Sequence, residues 1–153
     1  MNNRLRSLLS TLTLAATALT LHGAAAAPDD PLARAAAEKD AVVTASGLVF
    51  RALKEGAGAS PQASDIVRVH YRGTFPDGRE FDSSHARGQP ASFPLNRVIP
   101  CWTEGLQRMK VGGQARLTCP AAIAYGERGA GGGQIPPNTV LHFEVELLAI
   151  NGK

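Results

Sequence analysis

Apolar and polar residues alternate most clearly in DIVRVHYRGTF, from Asp65 to Phe75. Val67, Val69 and Tyr71 fall on one side and Arg68, His70 and Arg72 on the other, the period-two signature of a half-buried strand. VLHFEVELLAI (Val140 to Ile150) repeats the pattern, with Leu141, Phe143, Val145 and Leu147 inward and His142, Glu144 and Glu146 outward. GGQARLTCP (Gly112 to Pro120) sets Ala115, Leu117 and Cys119 on one face, and SGLVFRALKEGAG (Ser46 to Gly58) gives a strand that ends in a glycine turn. ASPQASD (Ala59 to Asp65) is a polar loop, Asp77-Gly78 marks a hairpin that leads to Phe81, and ASFPLN (Ala91 to Asn96) is a short extended piece. Pro100 suits a first helical turn, so TEGLQRM (Thr103 to Met109) predicts a short helix that ends by Gly112-Gly113. AAIAYGERGAGGGQIPPN (Ala121 to Asn138) is a long glycine- and proline-rich loop. The expected fold class is α+β, an antiparallel twisted β-sheet wrapped over one short α-helix.

The first residues follow another rule. Arg4 and Arg6 precede the apolar run LLSTLTLAATALTL (Leu8 to Leu21), which is short for a membrane span, and GAAAA (Gly23 to Ala27) supplies small residues for cleavage. The reading is a signal peptide over 1–26, cut between Ala26 and Ala27, then a short arm or helix over 27–45 and one globular domain over 46–151. Export to the periplasm is expected, with no stable membrane span after cleavage.

The leader alters the charge reading. The chain has 16 basic and 13 acidic residues, but Arg4 and Arg6 lie in the leader and no acid precedes Asp29, so 14 basic residues remain against 13 acidic ones. A balance so near zero argues against a nucleic-acid partner. Export also bears on the two cysteines, Cys101 and Cys119. A bridge would close a loop of about 18 residues worth roughly 3 kcal/mol in the chain-entropy model, and two buried free thiols are the alternative.

Several motifs do not carry chemistry. FDSSHARG (Phe81 to Gly88) gathers aspartate, serine and histidine on one loop, whereas a hydrolytic triad converges from separate elements. GAGGGQ (Gly129 to Gln134) lacks the lysine and the following helix of a phosphate cradle. His70, His85 and His142 read as surface residues, and neither they nor the cysteines have metal-ligand spacing, so no metal or cofactor is expected. What remains is aromatic: Tyr71, Phe81, Trp102, Tyr125 and Phe143 come from five segments, several at element ends beside loops, where rings can line a concavity.

VHYRGTFPDGREFDSS (Val69 to Ser84), VIPCWTEGLQRMKVGG (Val98 to Gly113), AYGERG (Ala124 to Gly129) and IPPNTVLHFEVELL (Ile135 to Leu148) together resemble the FKBP-type peptidyl-prolyl isomerases, in the form of the small exported bacterial members. The resemblance implies a pocket floored by the Trp102 indole, walled by Tyr71, Phe81 and Phe143, and bordered by Val98 and Ile99. It implies that Ile99 offers its backbone N–H to the peptide and Tyr125 its hydroxyl. Asp82 would be a polar group oriented by Tyr71 and Arg87, and Ile135 would close the loop side. On this reading Asp82, Tyr125, Phe81 and Trp102 are the catalytic set. Three departures stand out: Ala91 where better-known members carry an aromatic, Gln134 in place of an apolar residue before IPP, and Cys101 at a position usually given to glycine.

The implied reaction is X-Pro rotation without covalent catalysis. Its barrier of roughly 18–20 kcal/mol comes from amide resonance, and no bond breaks, so no nucleophile or cofactor is required. The expected partners are proline-containing unfolded or partly folded polypeptides and macrolides such as tacrolimus, and a monomer is expected. A proline-peptide-binding chaperone or adaptor with little turnover is the alternative, kept open by Ala91 and Gln134. A redox role is weak because the cysteines lack C-x-x-C spacing.

Overall fold

The computed structural model describes residues 29–153. The expected leader lies outside the described residues. The element order is α1 (Pro31–Ala36), β1 (Ala41–Val43), β2 (Val49–Lys54), β3 (Ile66–Thr74), β4 (Glu80–Ser83), β5 (Ala91–Pro94), α2 (Pro100–Gln107), β6 (Gln114–Cys119) and β7 (Leu141–Ile150). One antiparallel sheet runs β1-β2-β6-β7-β3-β4, and β5 pairs with β3 beyond this path.

The alternating rows build the inner face. Tyr71 pairs with Val145, Gly73 with Phe143, and Leu117 with Phe143, so residues of one parity from three strands meet over a common core. Val67, Val69, Leu117, Leu141 and Leu147 are sealed from solvent. Helix α2 lies on this face with Cys101, Trp102, Gly105 and Leu106 buried. It comes so close to β6 that a Cβ on Gly105 would meet Leu117 Cδ1 at 2.8 Å. Cys101 of α2 and Cys119 of β6 are joined by a disulfide with their Cα atoms 5.8 Å apart, which fastens the helix to the sheet.

The structure sharpens three local readings. Helix α2 starts at Pro100, the residue read as suiting a first helical turn, and ends at Gln107, short of Met109. The arm over 27–45 begins as helix α1 and then changes course. It turns at Asp40, whose φ is 63°, and Ala41–Val43 adds an edge strand to β2, where β-branched valines fit. His142 points outward but is not a surface residue. It is buried with Thr118, whose Oγ1 lies 2.9 Å from His142 Nδ1, at the part of the outer face where α1 and the Glu38 side chain pack. Glu38 joins Arg51 at 2.6 Å and Arg116 at 3.5 Å. Burial, with the Arg116 charge next, holds the His142 imidazole below its usual pKa.

No helix among the described residues is long and apolar enough to cross a membrane, and no cluster of ligating side chains there could hold a metal ion.

Candidate functional site

Beside the N-terminal turn of α2 the inner face is left open as a hollow of about 290 Å³. Its base is Trp102, only 4% exposed, which α2 presents from its first turn. Tyr71, Phe93 and Phe143 stand nearly perpendicular to the indole, with ring centroids 5.1, 5.6 and 5.4 Å away. Phe81 stands perpendicular to Phe143 at 5.6 Å. Edge-to-face pairs of this kind are worth about 0.5–1.5 kcal/mol each beyond buried area, so the walls hold one another upright. Glycine makes the room: a Cβ on Gly73 would meet the Phe81 ring at 2.5 Å and the Phe143 ring at 3.0 Å. The indole N–H has no hydrogen-bond partner among the described residues.

The polar side of the hollow is a closed triangle. Tyr71 donates its hydroxyl to Asp82 Oδ2 at 2.5 Å, Arg87 Nη1 donates to Asp82 Oδ1 at 2.5 Å, and Arg87 Nη2 donates to the Tyr71 hydroxyl oxygen at 2.8 Å. Partial burial pushes the Asp82 carboxyl up, but the bonds from Tyr71 and Arg87 outweigh it, so its pKa lies below the ordinary value and the carboxylate is ionised at neutral pH. Burial, reinforced by the bond to Asp82, raises the Tyr71 phenol. Tyr125 leans in from the β6–β7 loop, 37% exposed. Burial and the Asp82 charge raise its phenol as well, which keeps the proton on the oxygen. Val98 and Ile99 border the hollow where the chain enters α2, with Ile99 as the N-cap residue.

The residues expected at the site mostly converge. Tyr71, Phe81, Asp82, Val98, Ile99, Trp102, Tyr125 and Phe143 line the hollow. Arg87 stands behind Asp82 and Tyr71 and does not line it. Ile135 is 6% exposed and packs in the core cluster, with its backbone paired to Ala130 at the close of the glycine turn. Two lining residues, Phe93 and Arg97, went unseen in the sequence. Phe93 was legible in principle. It lies two residues after Ala91 on β5, pairs with Val67, and so faces inward by the rule applied to β3. Its ring stands against both Tyr71 and Trp102, so the wall beside Ala91 is aromatic after all. Gln134 also gains a contact, since its side-chain amide donates to the Phe81 carbonyl at 3.0 Å and ties the glycine loop to a wall of the hollow.

The family profile described as FKBP-type peptidyl-prolyl cis-trans isomerase matches residues 58–148, which includes all of the lining residues. The chain belongs to the FKBP-type peptidyl-prolyl cis-trans isomerases. Among relatives, it is 54% identical over 122 residues to the FKBP-type isomerase FkpA of Aeromonas hydrophila, a match covering 80% of this chain and 45% of that protein. It is 58% identical over 107 residues to the FKBP-type 22 kDa isomerase of Escherichia coli strain K12, covering 70% of this chain and 52% of that one. Of solved structures, the crystal structure of FkpA from Escherichia coli superposes with a TM-score of 0.75 at 47% identity, covering 78% of this chain and 55% of that one. A peptidyl-prolyl isomerase from Pseudomonas syringae gives 0.73 at 41% identity, covering 78% and 87%. The chain spans about half the length of the curated relatives it matches. The FKBP fold is therefore common to all of them, and the aromatic hollow occupies its inner face here.

Proposed function

We propose that this FKBP-type chain is an exported peptidyl-prolyl cis-trans isomerase that speeds X-Pro rotation in proline-containing, incompletely folded polypeptides. The observation that carries the reading is the hollow over Trp102, open to solvent and apolar at its base. A planar amide owes part of its charge separation to resonance, and the twisted amide has lost it. Transfer from water to the ring-lined hollow therefore costs the twisted form less than the planar one. The medium binds the transition state better than the ground state, which is the condition for catalysis.

Trp102, Phe81 and Phe143 grip the proline ring in this scheme. The Tyr125 hydroxyl and the Ile99 N–H hold flanking carbonyls so that rotation is confined to one bond. Asp82, held by Tyr71 and Arg87, keeps the wall in place. Tacrolimus, an apolar macrolide, would compete for the same hollow. Catalysis passes through no metal, nucleophile or proton transfer in this account.

The leader over 1–26, the arm over 27–45 and the domain over 46–151 remain our proposed layout, with the periplasm as destination and the monomer as working state. An oxidising compartment suits the Cys101–Cys119 bridge. The test is protease-free refolding of a protein limited by proline isomerisation. The purified chain is expected to accelerate the slow phase, tacrolimus to abolish the acceleration, and Phe81→Ala to weaken it. Suppressed aggregation with an unchanged slow phase would favour the peptide-binding chaperone instead.

A further inference from the structure

Arg97 sits in the 3-10 turn Leu95–Arg97 between β5 and α2, and it lines the hollow beside Val98 and Ile99. The two other charged side chains at this site, Asp82 and Arg87, cancel each other through a direct ion pair. Arg97 has no carboxylate partner among the described residues. Its charge is exposed, so water carries its solvation, yet it borders a low-dielectric opening where field lines concentrate. The start of α2 adds to the same sign. Its N-cap, Ile99, provides no side-chain hydrogen bond, and its first turn contains no acid to offset the positive end of the helix.

We infer that Arg97 sets a charge preference in the substrate, favouring proline segments with an acidic residue next to the proline and disfavouring those with a basic one. This deepens the isomerase reading and rests on it. The neutralised Asp82 is what gives the inference its sign: were Asp82 unpaired, the mouth of the hollow would be balanced, but with Arg87 on Asp82 the mouth carries one uncompensated positive charge. A carboxylate on the bound peptide can meet Arg97 while the proline ring rests on Trp102, because both residues line one hollow. An ammonium there meets repulsion instead.

The experiment compares tetrapeptides carrying glutamate, glutamine or lysine directly before the proline in one series and directly after it in another. Isomerisation is read by NMR exchange without a protease, at low ionic strength and at about 0.5 M salt, where the screening length falls to a few ångströms. In at least one series kcat/KM is expected to be about fivefold higher for glutamate than for lysine at low salt, in keeping with exposed charge pairs, with glutamine between them. Salt should shrink the ratio, Arg97→Gln should bring it to about one, and Arg97→Glu should invert it. The wild-type salt series reads the same charge without any substitution, so misfolding of a variant does not blunt the test. Equal rates for glutamate and lysine in both series, or a glutamate preference that survives Arg97→Glu, would overturn the inference while glutamine peptides still turn over. No turnover of the glutamine peptides would overturn the isomerase reading itself.

Discussion

The two faces of the sheet handle buried polarity in opposite ways. On the inner face, Tyr71, Asp82 and Arg87 satisfy one another at the edge of the hollow, Tyr71 stands directly against Trp102, and the buried indole N–H without a partner belongs to a residue that lines the opening. On the outer face, polar groups are buried by a cover. Helix α1 and Glu38 pack over Thr118, His142 and Arg116, and Arg116 Nε is left without a partner there. The inner arrangement leaves an opening that can receive a ligand. The outer one closes a surface, and its buried imidazole makes folding sensitive to acid. Polarity at the hollow thus supports function, whereas polarity under α1 bears mainly on stability.

Substitutions on each face can break this contrast. The largest stability effect is expected from removing the bridge that anchors α2, with Cys101→Ser and Cys119→Ser together. Urea unfolding of the oxidised parent and the double variant should differ by about 3 kcal/mol for a closed loop of this size. Gly73→Ala should come next, costing about 1–3 kcal/mol by overpacking, since its methyl group collides with the Phe81 and Phe143 rings. Because those rings wall the hollow, isomerisation should fall along with stability. A variant that loses stability yet keeps full turnover would show that these two rings are not part of the working site.

Acid should separate the faces by pH. The folded His142 has a pKa below its ordinary value of 6.5, so the unfolded chain binds more protons as the pH falls through that value. Stability is therefore expected to decline below about pH 6.5, and His142→Gln should flatten the decline. The folded Asp82 pKa is also lowered, so its contribution is complete above the unfolded value near 4 and is lost as pH falls through the folded one. Thermal unfolding from pH 7 to pH 3 should thus show a first loss that His142→Gln removes and a later loss that Asp82→Asn reduces. The smallest effect is expected from Gln134→Ala, which frees the Phe81 carbonyl from the glycine loop. One exposed hydrogen bond of about 1 kcal/mol corresponds to a fewfold drop in kcat/KM.

What could be read beforehand follows from how far each signal extends along the chain. Strands β3, β6 and β7 are six to ten residues long, so alternation identified both their existence and their inner faces. Strand β1 has three residues, too few for a period to register, and it exists because β2 offers an unpaired edge. Trp102, Tyr71, Phe81 and Phe143 stood out because aromatics are few and each lay within a strong motif. Arg97 stood out by neither test, and Gln134 was legible as a departure before IPP but not as a contact of Phe81. One depends on the turn into α2, and the other on a contact across 53 residues. His142 looked solvent-facing because parity shows which side of a sheet a residue takes but not what covers that side.

The central claim concerns the flat indole ring that floors the hollow, and the direct measurement is NMR exchange of a neutral X-Pro tetrapeptide with wild type and Trp102→Leu, at matched folded fractions verified by thermal unfolding. Leucine keeps the site apolar but removes the flat ring and the edge contacts with Tyr71, Phe93 and Phe143. The account predicts at least about a tenfold fall in kcat/KM, the equivalent of losing roughly 1.4 kcal/mol of transition-state binding. A folded Trp102→Leu protein that isomerises the peptide as fast as wild type would contradict it.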